Sequence, residues 1–226
     1  MLELIIFDLA GTTVHDDHDV HKALQRAMAD QGVDITLEEA NEVMGIPKPV
    51  AIEKLLLARY LGKRTIDENW IGEIHQQFRK YMIDHYTHHP NVREKEGVSA
   101  LFLALRERGI QVGVDTGFDR AITKPLLQRL GWEQRDLIDI SITSDEVPRG
   151  RPFPDMIFKA MALTGVNNPL YVAKVGDTLS DLEEGYAAGC GWVIGVTDGA
   201  FSREALQKGP HTHLVEDVRH VAALFD

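Results

Sequence analysis

Three features of this sequence predict an α/β fold, a doubly wound (Rossmann-like) parallel sheet carrying an inserted all-helical segment. The first is a continuously apolar run, Leu4, Ile5, Ile6 and Phe7, that stops at Asp8, as a strand buried on both faces does. The second is the alternation, from about position 92 onward, of short apolar runs with helical patterns of ten or so residues, which implies a parallel sheet covered on both sides. The third is the stretch from about 19 to 89, which is helical in pattern and has no convincing strand. The expected domains are therefore an α/β core made of 1–15 with 92–226, and a helical domain of 16–91.

Taken in order, the elements have local causes. After the strand 4–7, Ala10, Gly11, Thr12 and Thr13 suit a turn. Val20, Leu24, Ala27 and Met28 fall at helical spacing and predict a helix over 20–31, with Gly32 as its stop. Thr36 followed by Glu39 has the capping-box pattern and opens a helix over 37–43. Helices over 50–60 and 66–86 complete the insert. In the later part, helices over 98–108, 121–130, 154–164 and 180–188 alternate with strands over 110–114, 138–142, 170–175 and 192–196. Gly109 and Gly131 close two of the helices, and a last helix–strand–helix run carries the chain to Phe225.

Composition narrows the function. The 226 residues correspond to one or two domains, and 44% hydrophobic content excludes a disordered chain. One cysteine excludes a disulfide scaffold, and an uncharged apolar run of about 18 residues, the minimum for a membrane span, is absent. The start MLELIIFDLAGTT lacks the basic opening and longer apolar stretch of a signal peptide, so the expected compartment is the cytoplasm. Asp and Glu outnumber Lys and Arg 35 to 24, for a net charge of −11, which argues against nucleic acid and anionic membranes as partners.

Parallel sheets bind ligands outside the carboxyl ends of their strands, so the residues there carry the chemistry. In order they are Asp8; then Asp115, Thr116 and Gly117; then the loop TSDEVPRGRPFP with Arg151; then GDTLSD with Asp177 and Asp181. Each suits phosphoryl transfer. Asp8 can act as a nucleophile and form an aspartyl-phosphate. Asp8 and Asp177 can hold Mg²⁺, which prefers oxygen ligands. Thr116, beside Gly117, and Arg151 can hold non-bridging phosphate oxygens, Arg151 through its planar fork. Singly, such residues are ordinary turn formers or helix caps; all of them in strand order are not.

With FDLAGTT, VDTG, GRPFP and KVGDTLSD in the expected order over nearly the whole length, the chain resembles the haloacid dehalogenase (HAD) superfamily of hydrolases. The resemblance implies Asp8 as nucleophile, and the Ala10 carbonyl and Asp177 as further Mg²⁺ ligands. It implies Asp181 as a ligand directly or through water, phosphate binding by Thr116 and Arg151, and a mobile helical cap for the insert.

Most members of that superfamily have Asp where this chain has Ala10, as general acid to the leaving oxygen; alanine has no proton to give. In Ala10, in Arg at position 151 and in the GRP-aromatic-P loop, the chain is similar to the phosphonatase branch, whose leaving group is a carbon. There a cap lysine forms a Schiff base with the substrate aldehyde. The matching stretch here is MGIPKP, which makes Lys48 that lysine and a substrate contact, and Met44, Ile46, Pro47, Pro49 and Val50 are expected to desolvate it. Two positions depart from that branch: Ala51 replaces a His three residues after the lysine, and His18 replaces a Cys. The expected activity is a Mg²⁺-dependent phosphonatase-like hydrolysis of a small phospho compound. Hydrolysis of a small phosphate monoester is the alternative, and an idle binding or regulatory protein on the same scaffold is a third reading. Besides the small-molecule substrate, the sequence leaves a homodimer open.

Other residues invite attention. His15, His18 and His21 follow the nucleophile loop at roughly helical spacing, and one of them could supply the acid/base missing at Ala10. His85, His88 and His89 cluster at a helix end without metal-ligand spacing. Cys190 is expected to be a buried structural thiol, and Phe78, Tyr81 and Met82 to be core of the helical segment. No GxGxxG or Walker pattern is present.

Overall fold

The computed structural model describes residues 1–60, 62 and 65–225. Strand β1 (Leu4–Phe7) is followed by helices α1 (Asp19–Ala29), α2 (Leu37–Asn41), α3 (Lys48–Tyr60) and α4 (Glu68–His88). Helix α5 (Val98–Glu107) leads into β2 (Gln111–Thr116), α6 (Arg120–Leu130), β3 (Ile140–Thr143), α7 (Asp155–Thr164), β4 (Val172–Gly176), α8 (Leu179–Ala188), β5 (Trp192–Val196), α9 (Arg203–Leu206) and β6 (His213–Val215). The sheet is parallel throughout, in the order β3-β2-β1-β4-β5-β6. This is the doubly wound architecture, and the order reverses at β1, where such sheets place their ligands.

Burial on both faces explains the unbroken apolar run of β1. Ile5 and Phe7 pack into the larger core with Val112, Val114, Phe102 and the helices of the insert, whereas Leu4 and Ile6 pack against Met156, Ile157 and Ala160 of α7. Phe102 packs between Phe7, tilted, and Trp132, edge-on, with ring centroids 5.1 Å apart in each pair.

Helices α1–α4 cover the carboxyl edge. Helix α1 buries Val20, His21, Leu24, Ala27 and Met28, and α4 buries Trp70, Ile74, Phe78, Met82 and Tyr86, each as one stripe. These stripes face one another, and α4 also packs on α6, so insert and sheet share one continuous core. Thr36 and Glu39 form the expected capping box. Among the described residues no helix is long and apolar enough to cross a membrane.

Some boundaries differ from the sequence expectation. Helix α3 begins at Lys48, two residues earlier than predicted. Strand β3 begins at Ile140, because the Asp139 carboxylate accepts from Val112 N and holds the preceding residues apart from the ladder. Leu170 and Tyr171, expected to open β4, lie instead in a 3-10 turn, Pro169–Tyr171, started by the Asn168 side chain. The predicted last helix is replaced by two 3-10 turns, Val218–His220 and Ala222–Phe225, the first fixed by Asp217 accepting from Arg219 N.

Phe102→Ala should lower the unfolding free energy by about 3–5 kcal/mol in urea denaturation, because it empties a closed aromatic site. Leu163→Ala, at a position 63% exposed, should change it by no more than about 0.5 kcal/mol.

Candidate active site

The ladder positions the site. Phe7 is level with Val114 and Val175, so Asp8, Asp115 and Gly176 emerge side by side from three adjacent strands. Asp177 follows β4 directly, and Asp181 lies in the first turn of α8. The bend after β1 is held by Thr13, whose hydroxyl donates to the Asp8 carbonyl at 2.7 Å. Asp177 is fixed by the Thr12 hydroxyl at 2.8 Å and by Ala200 N at 2.6 Å. One ligand oxygen from each of Asp8, Asp177 and Asp181 can lie within 4.8 Å of the others.

Arg151 reaches under these strand ends and is 2% exposed. Its Nη1 contacts Asp8 Oδ1 at 2.8 Å and Asp181 Oδ1 at 2.7 Å, and its Nε lies 3.1 Å from Glu184 Oε2. Its Nη2 pairs with Asp115, whose backbone carbonyl it also meets at 2.8 Å. Lys174, within β4, pairs with Asp115 and lies 3.2 Å from Asp181 Oδ1 and 3.1 Å from Glu184 Oε2. Arg151, predicted as a phosphate ligand, thus has carboxylates around its whole guanidinium. Thr116 accepts from Phe118 N at 3.2 Å and, with Gly117, lines the same cavity as Asp8.

Of five buried carboxylates here, Asp8, Asp115, Asp181 and Glu184 face the buried cations Arg151 and Lys174, while Asp177 is held by Thr12 and Ala200. The imbalance shows in their protonation. Burial, with neighbouring carboxylates adding to it, pushes Asp8 up to about 6 and Asp177 up to about 7. Burial likewise pushes Glu184 up to about 8. Asp115 moves down despite its burial, because Lys174 and Arg151 both face it. A crowd of oxygen donors short of positive charge fits a hard divalent cation such as Mg²⁺, with Asp8 and Asp177 as its carboxylates. Asp181 belongs to this group, although its Oδ2 also accepts from the Thr178 hydroxyl at 2.6 Å as part of a capping box.

Lys48, at the first turn of α3, is only 3% exposed and lines a cavity of about 40 Å³ with Asp8, Ala10 and Arg151. Burial brings its ammonium down to about 8, against the pull of Asp8. Pro49 and Val50 do not contribute as expected, because both are exposed; the cover comes from Met44, which lines the same cavity, and from the rings of Phe78 and Phe118, 5.8 and 5.6 Å from Nζ. The segment before Lys48 docks through glycines. A Cβ on Gly117 would stand 2.8 Å from the Gly45 carbonyl oxygen and 3.0 Å from that of Ile46, and one on Gly150 would overlap Pro47.

Of the three histidines after the nucleophile loop, His21 lines this cavity, whereas His15 pairs with Asp17 and with His18 faces an outer cleft. His88 bonds Asp84 and His85 stacks on His89, with no metal cluster among them in the described residues. Phe78 and Met82 are core as expected, and Tyr81 is half-buried with its hydroxyl on Asp30. Cys190 is a free thiol whose burial pushes it up to about 12. Sequence reasoning missed Lys174, Glu184 and Asp16. A lysine flanked by Ala173 and Val175 in a fully buried strand was the available signal for the first.

Comparison with known proteins agrees with the geometry. A model of the haloacid dehalogenase-like hydrolases matches residues 5–195, and this chain belongs to that family of hydrolases. It is 32% identical over 210 residues to a phosphonoacetaldehyde hydrolase of Bacillus cereus, covering 88% of this chain and 77% of the relative. It is 31% identical over 239 residues to one of Bacillus thuringiensis, covering 99% and 88%. Among solved structures, a phosphonoacetaldehyde hydrolase-like protein of Oleispira antarctica superposes with a TM-score of 0.85 at 24% identity, over 99% of this chain and 91% of the other. A predicted phosphoglycolate phosphatase of Haemophilus somnus gives 0.82 at 20% identity, over 100% and 98%, so the fold is shared across phosphatase-like members.

Gly117→Ala should cut kcat/KM for phosphate release at least tenfold while secondary structure by circular dichroism stays unchanged. The methyl group would force the 45–46 backbone off its seat.

Proposed function

We propose that this hydrolase is a Mg²⁺-dependent phosphonatase acting on a small phosphonate aldehyde, with phosphonoacetaldehyde as the reference substrate. The observation that carries the reading is Lys48, buried in one small cavity with Asp8 and brought down to about 8. An amine held near neutrality beside a nucleophilic carboxylate serves to capture a carbonyl group. The Bacillus relatives, named for phosphonoacetaldehyde hydrolysis, support it.

In this reading residues 16–91 form a cap over the core, and Lys48 adds to the aldehyde carbon to give an iminium. Asp8 then attacks phosphorus in line, and the carbon–phosphorus pair departs into the iminium as an enamine. No proton is needed at the leaving atom, which accounts for Ala10. Thr116 and Gly117 bind the phosphoryl oxygens, and Arg151, in the same cavity, adds positive charge beside them while it fixes the Asp8 carboxylate. Water hydrolyses the aspartyl-phosphate. Mg²⁺ held by Asp8, Asp177 and the Ala10 carbonyl, with Asp181 directly or through water, would neutralise the phosphoryl charge. Ala51, which lacks the imidazole of the phosphonatases, favours the second reading: hydrolysis of a small phosphate monoester, with Lys48 only binding the anion.

Phosphonoacetaldehyde should release phosphate with Mg²⁺ and none with excess EDTA, and Asp8→Asn should lower the rate on the order of 10³-fold or more. Borohydride should trap an adduct at Lys48 by mass spectrometry; turnover of phosphate esters without any adduct would select the second reading. Because the neutral amine is the reactive form, the adduct rate should rise with pH and level off above about 8.

A further inference from the structure

We propose that Asp16 and His21 form a proton relay for Lys48, connecting its cavity with the neighbouring cleft; the proposal rests on the Schiff-base reading above. Both residues line the cavity shared by Lys48 and Asp8, and both also line the outer cleft, about 240 Å³, with His15, Lys95 and Asp198. They stand as the wall between the two.

The His21 side chain is buried, and its Nε2 lies 2.9 Å from Asn41 Oδ1. With that amide oxygen accepting, the proton of the neutral ring is on Nε2, and Nδ1 carries a free lone pair. Nδ1 has no hydrogen-bond partner. It faces Asp16 Oδ2 at 3.9 Å, too long for a direct hydrogen bond but short enough for one oxygen lying to the side to bond both. Asp16 is itself held in place: its Oδ1 accepts from Asp19 N at 3.0 Å and Val20 N at 3.3 Å, capping α1 where His18, in a left-handed conformation, cannot. Its Oδ2 is the oxygen left to exchange protons.

Burial sets the two protonation states in a useful sense. It raises the Asp16 carboxyl, which favours the acid. It lowers His21, with Asn41 and Asp16 pulling the other way and His18 and Lys48 adding to the fall, which favours the neutral base. Acid and base thus face one another at 3.9 Å, close enough for one oxygen beside them to bond both. Asn41 and the α1 backbone fix their orientation.

The step balances. The neutral Lys48 amine forms a bond to the aldehyde carbon, and the carbonyl π pair moves to oxygen. His21 Nδ1 takes one proton from the resulting ammonium. The alkoxide receives that proton from His21 and a second from the Asp16 carboxyl, and leaves as water while the nitrogen lone pair closes the iminium. Asp16 ends as carboxylate and is reprotonated from solvent through the neighbouring cleft; hydrolysis of the enamine to amine and aldehyde is proton-neutral, and hydrolysis of the aspartyl-phosphate returns one proton to solvent, so the cycle closes. An imidazole on a different helix thereby covers the chemistry that Ala51 cannot.

The test is the rate of borohydride-trapped adduct formation with phosphonoacetaldehyde. His21→Gln keeps an amide donor for Asn41 but removes the proton-accepting ring; Asp16→Asn keeps the oxygen that caps α1 but removes the acid. Each should slow adduct formation on the order of 10²-fold, and free imidazole should restore part of the His21→Gln rate, which a structural role would not allow. A folded variant of either kind that traps at the unsubstituted rate, or a His21→Gln protein that imidazole does not rescue, overturns the relay alone. If the unsubstituted protein forms no adduct, the Lys48 reading falls and the relay falls with it.

Discussion

The exchange of charge beneath the strand ends governs this molecule. Adjacent parallel strands that each finish in an acidic residue bring carboxylates together wherever the sheet order makes them neighbours, and β1 lies between β2 and β4. Arg151 and Lys174 make that crowding tolerable by threading between Asp8, Asp115, Asp181 and Glu184. Removing one partner from such a buried network leaves an uncompensated charge at a cost of about 3–5 kcal/mol. Asp8, the metal-ligand candidates and the loop after β3 are therefore one electrostatic unit, and none can be altered in isolation.

The same physics acts with opposite sign a short distance away. Lys174 is as deeply buried as Lys48, and burial works against the charge of both, yet Lys174 is driven up because three carboxylates meet its ammonium. Lys48 is driven down because phenyl rings surround it and the nearest carboxylates act only from a distance. Two lysines of one site are thus held differently by their neighbours, one as a fixed charge and the other with its ammonium destabilised.

What could be read from the sequence is what local pattern encodes. The β1 run, the Thr36–Glu39 box, the glycine stops and the acidic residues after the strands all depend on neighbours within a few positions. The architecture and family follow from them. The buried partners do not: Lys174 meets Asp115 across 59 positions of chain, and Glu184 meets Arg151 only because α8 packs behind β4. Asp16 reads as one more acidic loop residue until α1 is seen to rest on it. The final turns were misjudged because apolar periodicity near Phe225 resembles a helix, whereas Asp217 and the short spacing permit only 3-10 turns.

The glycine-lined seat of the Lys48 segment has an evolutionary consequence. Gly117 meets the carbonyl oxygens of Gly45 and Ile46, so backbone rather than side-chain shape sets the fit there. An interface of that kind is blind to what Met44 and Ile46 carry. The Met44 side chain lines the cavity with Asp8 and can diverge, changing its size and polarity, while Lys48 keeps its place. A scaffold built this way can vary the inside of the chamber and keep its backbone seat as an inherited constant.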